Sequence, residues 1–91
     1  MNKTEFIKEV SRRTNYTQYA IGEVFNVARD LLIEELAKGD EVTFLKGITF
    51  LTKKREEAVK YNHLLKRECT IPAALLPKVR FAESFKDAMN G

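Results

Sequence analysis

The sequence predicts an α+β fold: two N-terminal helices, a three-stranded antiparallel sheet drawn out into a long β-ribbon arm, and a short C-terminal helix. Three observations predict it. Apolar residues recur with a helical period as far as Gly39 and with a period of two beyond it. Residues 53–62 are too polar to cover a core, yet they lack the Gly, Pro and Ser bias of a linker. Strand-like sequence resumes after them, so the polar stretch reads as a protruding hairpin rather than a packed strand.

Each element has its own signal. Asn2 is a suitable N-cap, and Glu5 three residues on gives a box-like pattern. Phe6, Ile7 and Val10 follow at helical spacing, and Arg12 and Arg13 suit the negative end of the dipole, so the first helix ends near Thr14-Asn15. Thr17 caps the second helix, with Tyr16 and Ile21 as a hydrophobic staple. Ile21, Val24, Phe25, Ala28, Leu31, Leu32 and Leu36 hold its apolar stripe, and Gly39 ends it after Lys38. Gly22, inside this helix, implies close approach of another helix.

Val42 and Phe44 then alternate with Glu41, Thr43 and Leu45 as a strand, Lys46-Gly47 is a turn, and Ile48, Phe50 and Thr52 open a second strand that runs into the polar stretch. The return strand is expected from about Leu65 to Leu76, with Pro72 tolerated at an edge or a bulge. Ser84 is the candidate cap of the last helix, which runs to Met89, with Ala82-Glu83 as an alternative, earlier start. The whole chain reads as one domain: residues 1–39 a helical dimerisation part, 40–81 the sheet with its arm at about 53–70, and 82–91 the C-terminal helix. With 91 residues and no disulfide, the core is modest. An intertwined dimer is expected, the sheet of each chain laid over the helices of both.

Charge is concentrated. Residues 1–45 are net −2, and residues 81–91 net −1. Residues 46–80 are net +6, from nine bases (Lys46, Lys53, Lys54, Arg55, Lys60, Lys66, Arg67, Lys78, Arg80) against Glu56, Glu57 and Glu68. Such asymmetry points to a polyanionic partner, and a two-stranded ribbon is narrow enough to enter a DNA groove. Glu56 and Glu57 would repel phosphate, so they are expected where the ribbon leaves the body or facing away from DNA.

Other classes are disfavoured. His63 and Cys69 are the only His and Cys, too few for a metal site, and no nucleophile–base set can be assembled around one His on an exposed hairpin. No glycine-rich phosphate loop is present. No enzyme activity, cofactor or small-molecule substrate is therefore expected. Six Phe residues read as core, so a single-strand binder with a stacking platform is also disfavoured. The start of the chain lacks a signal-peptide pattern and no run is long enough for a membrane span, and a lone Cys suits a reducing cytosol.

Five short motifs, in order, carry a resemblance. Met1-Asn2-Lys3-Thr4-Glu5-Phe6-Ile7 is similar to an opening M-N-K-T-E-L-I, and Leu36 to Val42 to L-x-x-G-D-x-V. Gly47-Ile48-Thr49-Phe50 is similar to G-x-G-T-F, Ile71-Pro72-Ala73-Ala74 with Pro77 to I-P-A-x-x-x-x-P, and Phe85 to Ala88 to L-K-D-A. Together they resemble the HU/integration host factor family of bacterial histone-like DNA-binding proteins, over the full length. The resemblance implies an obligate dimer, homodimeric or paired with a paralogue, associated with the nucleoid. Its two arms would wrap the minor groove of double-stranded DNA and bend it with little sequence preference. Carried onto this chain, Lys53, Lys54, Arg55, Lys60, Lys66 and Arg67 would lie along phosphates, Lys78 and Arg80 would contact backbone from the saddle, and Lys3 would hold DNA that bends around the body.

The chain departs from the family at the arm tip, which there reads close to R-N-P-x-T-G. Here it is Tyr61-Asn62-His63-Leu64-Leu65-Lys66: Asn62 is kept, His63 stands in place of the wedging proline, and no glycine marks the turn. Leu64 or Leu65 could wedge instead, Tyr61 could stack, or the tip could pack on a neighbour. The β1–β2 turn has one glycine instead of two, and Glu83 stands where the family has Lys. An alternative reading follows from these departures: a protein-interaction or assembly protein of the same fold, with weakened DNA bending.

Overall fold

A computed structural model describes residues 1–91. In order they form α1 (Lys3–Thr14), α2 (Gln18–Ala37), β1 (Val42–Leu45), β2 (Ile48–Arg55), β3 (Ala58–Asn62), β4 (Arg67–Ile71), β5 (Ala74–Phe81) and α3 (Glu83–Asn90). The chain divides into two compact units, Met1–Glu34 and Glu35–Gly91.

The first unit holds α1 and most of α2. Asn2 caps α1 as expected: its Oδ1 accepts the Glu5 N–H at 2.9 Å. The helix stops at Asn15, whose left-handed backbone (φ 64°) lets its N–H reach the Ser11 carbonyl at 2.8 Å. Arg12 and Arg13 do more than suit the dipole. Both hydrogen-bond to Glu9, one turn back. Thr17 Oγ1 accepts the Ala20 N–H at 3.1 Å, the cap expected for α2. Phe6 and Phe25 meet with ring centroids 6.0 Å apart. A Cβ on Gly22 would stand 3.9 Å from Ile7 Cδ1, an ordinary contact, so α1 does approach at this point but leaves room for an alanine and does not itself require the glycine. Ile21, 6% exposed, is the one buried hydrophobic side chain of the protein.

The second unit begins with the end of α2. Gly39 (φ 86°) and its neighbours return N–H groups to Glu35 and Leu36 carbonyls. Thr52 Oγ1 donates to the Leu36 carbonyl at 2.6 Å and ties the helix end to β2. β1, β2 and β5 make the three-stranded antiparallel sheet, in that order. Phe44 stacks on Phe50 with centroids 5.4 Å apart. The Lys46-Gly47 turn joins paired Leu45 and Ile48, and only Gly47 takes positive φ, at 87°. A register shift between Val42 and Leu45 accommodates it.

Two expectations are corrected. The return strand from Leu65 to Leu76 is not continuous. It is β4 and β5, interrupted at Pro72-Ala73, and β2 and β3 are interrupted at the same level by Glu56-Glu57. Proline has no N–H to give the ladder, so pairing lapses there. β3 and β4 consequently form a two-stranded sheet of their own. Ser84 is not the cap of α3 either. Ala82 holds that position without a side-chain bond, and its N–H goes to the Gly47 carbonyl at 2.8 Å. Docking sets the helix start, because Phe85 must lie against Phe81, centroids 5.1 Å apart.

Candidate nucleic-acid interface

Strand alternation sorts the bases by face. In the β2–β5 register Thr49 pairs with Arg80, Leu51 with Lys78, Lys53 with Leu76 and Arg55 with Ala74. Residues paired directly share a face, and so do residues two apart. Lys53, Arg55, Lys78 and Arg80 therefore stand together on one face of the three-stranded sheet. Thr43 is on it too, its hydroxyl 3.0 Å from that of Thr49. The other face carries Val42, Phe50, Val79 and Phe81. Lys54 pairs with Leu75 on that second face. Sequence reasoning grouped it with Lys53 and Arg55, and the register separates it from them.

The two-stranded sheet is sorted in the same way. Lys60 pairs with Cys69 and Asn62 with Arg67, so Lys60, Asn62 and Arg67 share one face. Tyr61 pairs with Glu68 and Val59 with Thr70 on the other, which has no base. Glu56 and Glu57 lie in the interruption between the two sheets. The one side-chain bond found spanning that interruption runs from Arg55 Nη2 to the Pro72 carbonyl, at 3.1 Å.

The tip is built without proline or glycine. Asn62 Oδ1 accepts the N–H groups of Leu64 at 2.9 Å and Leu65 at 3.1 Å, an Asx-type turn. Lys66 takes the left-handed conformation (φ 50°) that a glycine would usually supply. Leu64 is 95% exposed at the apex, while the Tyr61 and His63 rings meet edge to face at 5.0 Å.

Most of these cations are uncommitted. Lys53, Lys54, Lys60, Lys66, Arg67 and Lys78 make no ion pair, and Arg80 lies 3.8 Å from Glu41. Lys3, at the start of α1, donates to Asn26 Oδ1 at 2.7 Å. Asn26 and Glu41 were missed by sequence reasoning. Glu41 was within reach of it, since it stands two residues before Thr43 and alternation places it on the basic face. No group of three or more His, Cys, Asp and Glu is placed to hold a metal ion, and no helix is long and apolar enough to cross a membrane.

Residues 1–90 match the family model described as bacterial DNA-binding protein. The chain belongs to this family. Its HU relatives are similar from end to end. DNA-binding protein HU-1 of Halalkalibacterium halodurans is 34% identical over 90 residues, 99% of this chain and 100% of the relative. DNA-binding protein HU-beta 2 of Neisseria meningitidis serogroup A is 31% identical, with both chains covered completely. Among solved structures, a cocrystal of Anabaena HU with DNA superposes with a TM-score of 0.80 at 25% identity, over 98% of this chain and 97% of the other. The HU resemblance and the α+β fold expected from sequence are thereby borne out.

Proposed function

We propose that this chain is a histone-like architectural protein that binds duplex DNA as a dimer, mostly without sequence specificity, and bends or compacts it. The observation that carries this reading is the sorting of bases. Lys53, Arg55, Lys78 and Arg80 share one sheet face, and Lys60 and Arg67 share one face of the β3–β4 hairpin. An array of exposed cations on extended strands, of which Lys53, Lys60, Arg67 and Lys78 make no ion pair, is suited to phosphates, and phosphate contacts carry no base code. Asn62, the polar residue best placed to read a base edge, already spends its Oδ1 on two backbone N–H groups.

In this reading β3–β4 is the arm, and Leu64 or Leu65 at its apex enters the base stack in place of a proline. Lys3 adds a phosphate contact. Lys54 contributes through the general field more than by contact. The protein acts on DNA in the cytoplasm, at the nucleoid, and has no catalytic role.

Dimerisation is supported by what one chain fails to bury. Val24, Val27, Leu31 and Ile33 of α2 are all at least half exposed. A second copy is the natural cover for such a surface.

The test is fluorescence anisotropy with a labelled random-sequence duplex, across a salt series. Affinity should fall linearly on a log–log plot, with a slope that reports several phosphates. Binding that is salt-insensitive, or absent at low salt, removes this reading and favours the protein-assembly alternative.

A further inference from the structure

Glu41 is the one acid on the basic face of the three-stranded sheet. It precedes β1 by one residue and shares the parity of Thr43, which meets Thr49 on that face. Thr49 in turn pairs with Arg80. Glu41 and Arg80 belong to the two outer strands' ends, with β2 between them. Strands two apart are separated by about 10 Å, a distance that two long side chains must bridge by reaching over the central strand. They do so: Arg80 Nη2 lies 3.8 Å from Glu41 Oε2. Lys53 and Lys78, on the same face, have no such partner.

We infer that Glu41 is a built-in counter-anion that sets how much of the Arg80 charge is available to DNA, and with it the affinity of the sheet face. The inference rests on the DNA-binding reading above. Its physical basis is competition between two oxyanions. The Glu41 carboxylate holds the guanidinium where a phosphate oxygen would otherwise sit. Both side chains are well exposed, at 62% and 58%, so the pair is weak and a phosphate array displaces it. Breaking the pair and leaving Glu41 uncompensated beside the phosphates offsets part of what the Arg80 contact gains, whereas the unpaired Lys78 keeps its full share.

A double-mutant cycle tests this, with the full-length protein and a random-sequence duplex over a salt series. Glu41→Gln should tighten binding about two- to five-fold at low salt. In an Arg80→Gln background the same Glu41→Gln change should give a clearly smaller gain, the part due to simple repulsion of phosphate. A gain of equal size without Arg80 means that Glu41 acts only as a remote charge and overturns the inference. So does a Glu41→Gln protein that binds like the parent. If the parent itself fails to bind at low salt, the DNA-binding reading falls and takes this one with it. The Arg80 side-chain Nε resonance of the free protein separates the two failures. It should move on Glu41→Gln whether or not DNA binds, and an unmoved resonance overturns the pairing itself.

Discussion

The Cβ that Gly47 lacks would stand 2.9 Å from Phe85 Cβ, closer than side chains tolerate. This position closes the β1–β2 turn with positive φ, receives the Ala82 N–H on its carbonyl, and seats α3. Gly47→Ala must therefore both strain the turn and push the helix away. A loss of about 1–3 kcal/mol is expected, read by urea unfolding at fixed protein concentration. An unchanged midpoint would mean that α3 does not dock as described.

Asn62 organises the tip through two backbone N–H groups. Asn62→Ala should leave global stability within about 0.5 kcal/mol, because the turn is exposed. Amide exchange at Leu64 and Leu65 should nevertheless accelerate, and the preference for pre-bent DNA should weaken. Protection unaltered at both amides would show that the turn holds without the side chain.

Glu9 sits between Arg12 and Arg13, whose hydrogen bonds, Arg12 first, lower its carboxyl pKa from the usual 4.5 to about 2. A carboxylate with a depressed folded pKa stabilises above its unfolded value and loses that contribution as pH falls through the folded one. The Glu9 share should be intact above about pH 4.5 and vanish towards pH 2. Carboxyl carbon shifts followed by NMR should place the Glu9 midpoint well below the usual 4.5. Glu9→Gln should remove this component of acid sensitivity, and a midpoint in the ordinary range would contradict the pairing.

Face assignment gives a contrast within three consecutive residues. Lys53→Ala and Arg55→Ala should each weaken DNA binding and reduce the salt slope by about 0.9. Lys54→Ala, on the opposite face, should cost less in both. The losses should be alike across DNA sequences, since phosphate contacts carry no base code. Equal losses at all three positions would mean that the register does not decide the contact.

Much of this was legible in the sequence because it is local. The period change at Gly39, the Asn2 and Thr17 caps and the polar ribbon are each written in a few neighbouring residues. The paired interruption at Glu56-Glu57 and Pro72-Ala73 was only half legible. Pro72 announced a fault on one strand, but which residues oppose it is fixed by long-range register. The same register decides that Lys54 parts from Lys53 and Arg55. Ser84 was misread as a cap because docking of Phe85 on Gly47, and not capping chemistry, sets where α3 begins. Lys66 in the left-handed region had no signal at all, since a lysine there is uncommon and is held by the turn around it.

The most direct test of the central claim is a titration of the protein against matched intact, nicked and pre-bent duplexes at two salt concentrations. An architectural binder should bind tightly at low salt, lose affinity steeply as salt rises, and favour the nicked and pre-bent duplexes, because their deformation is already met. Equal affinity for all three would contradict bending and leave a protein that only coats DNA, and no binding at low salt would contradict the DNA-binding reading altogether.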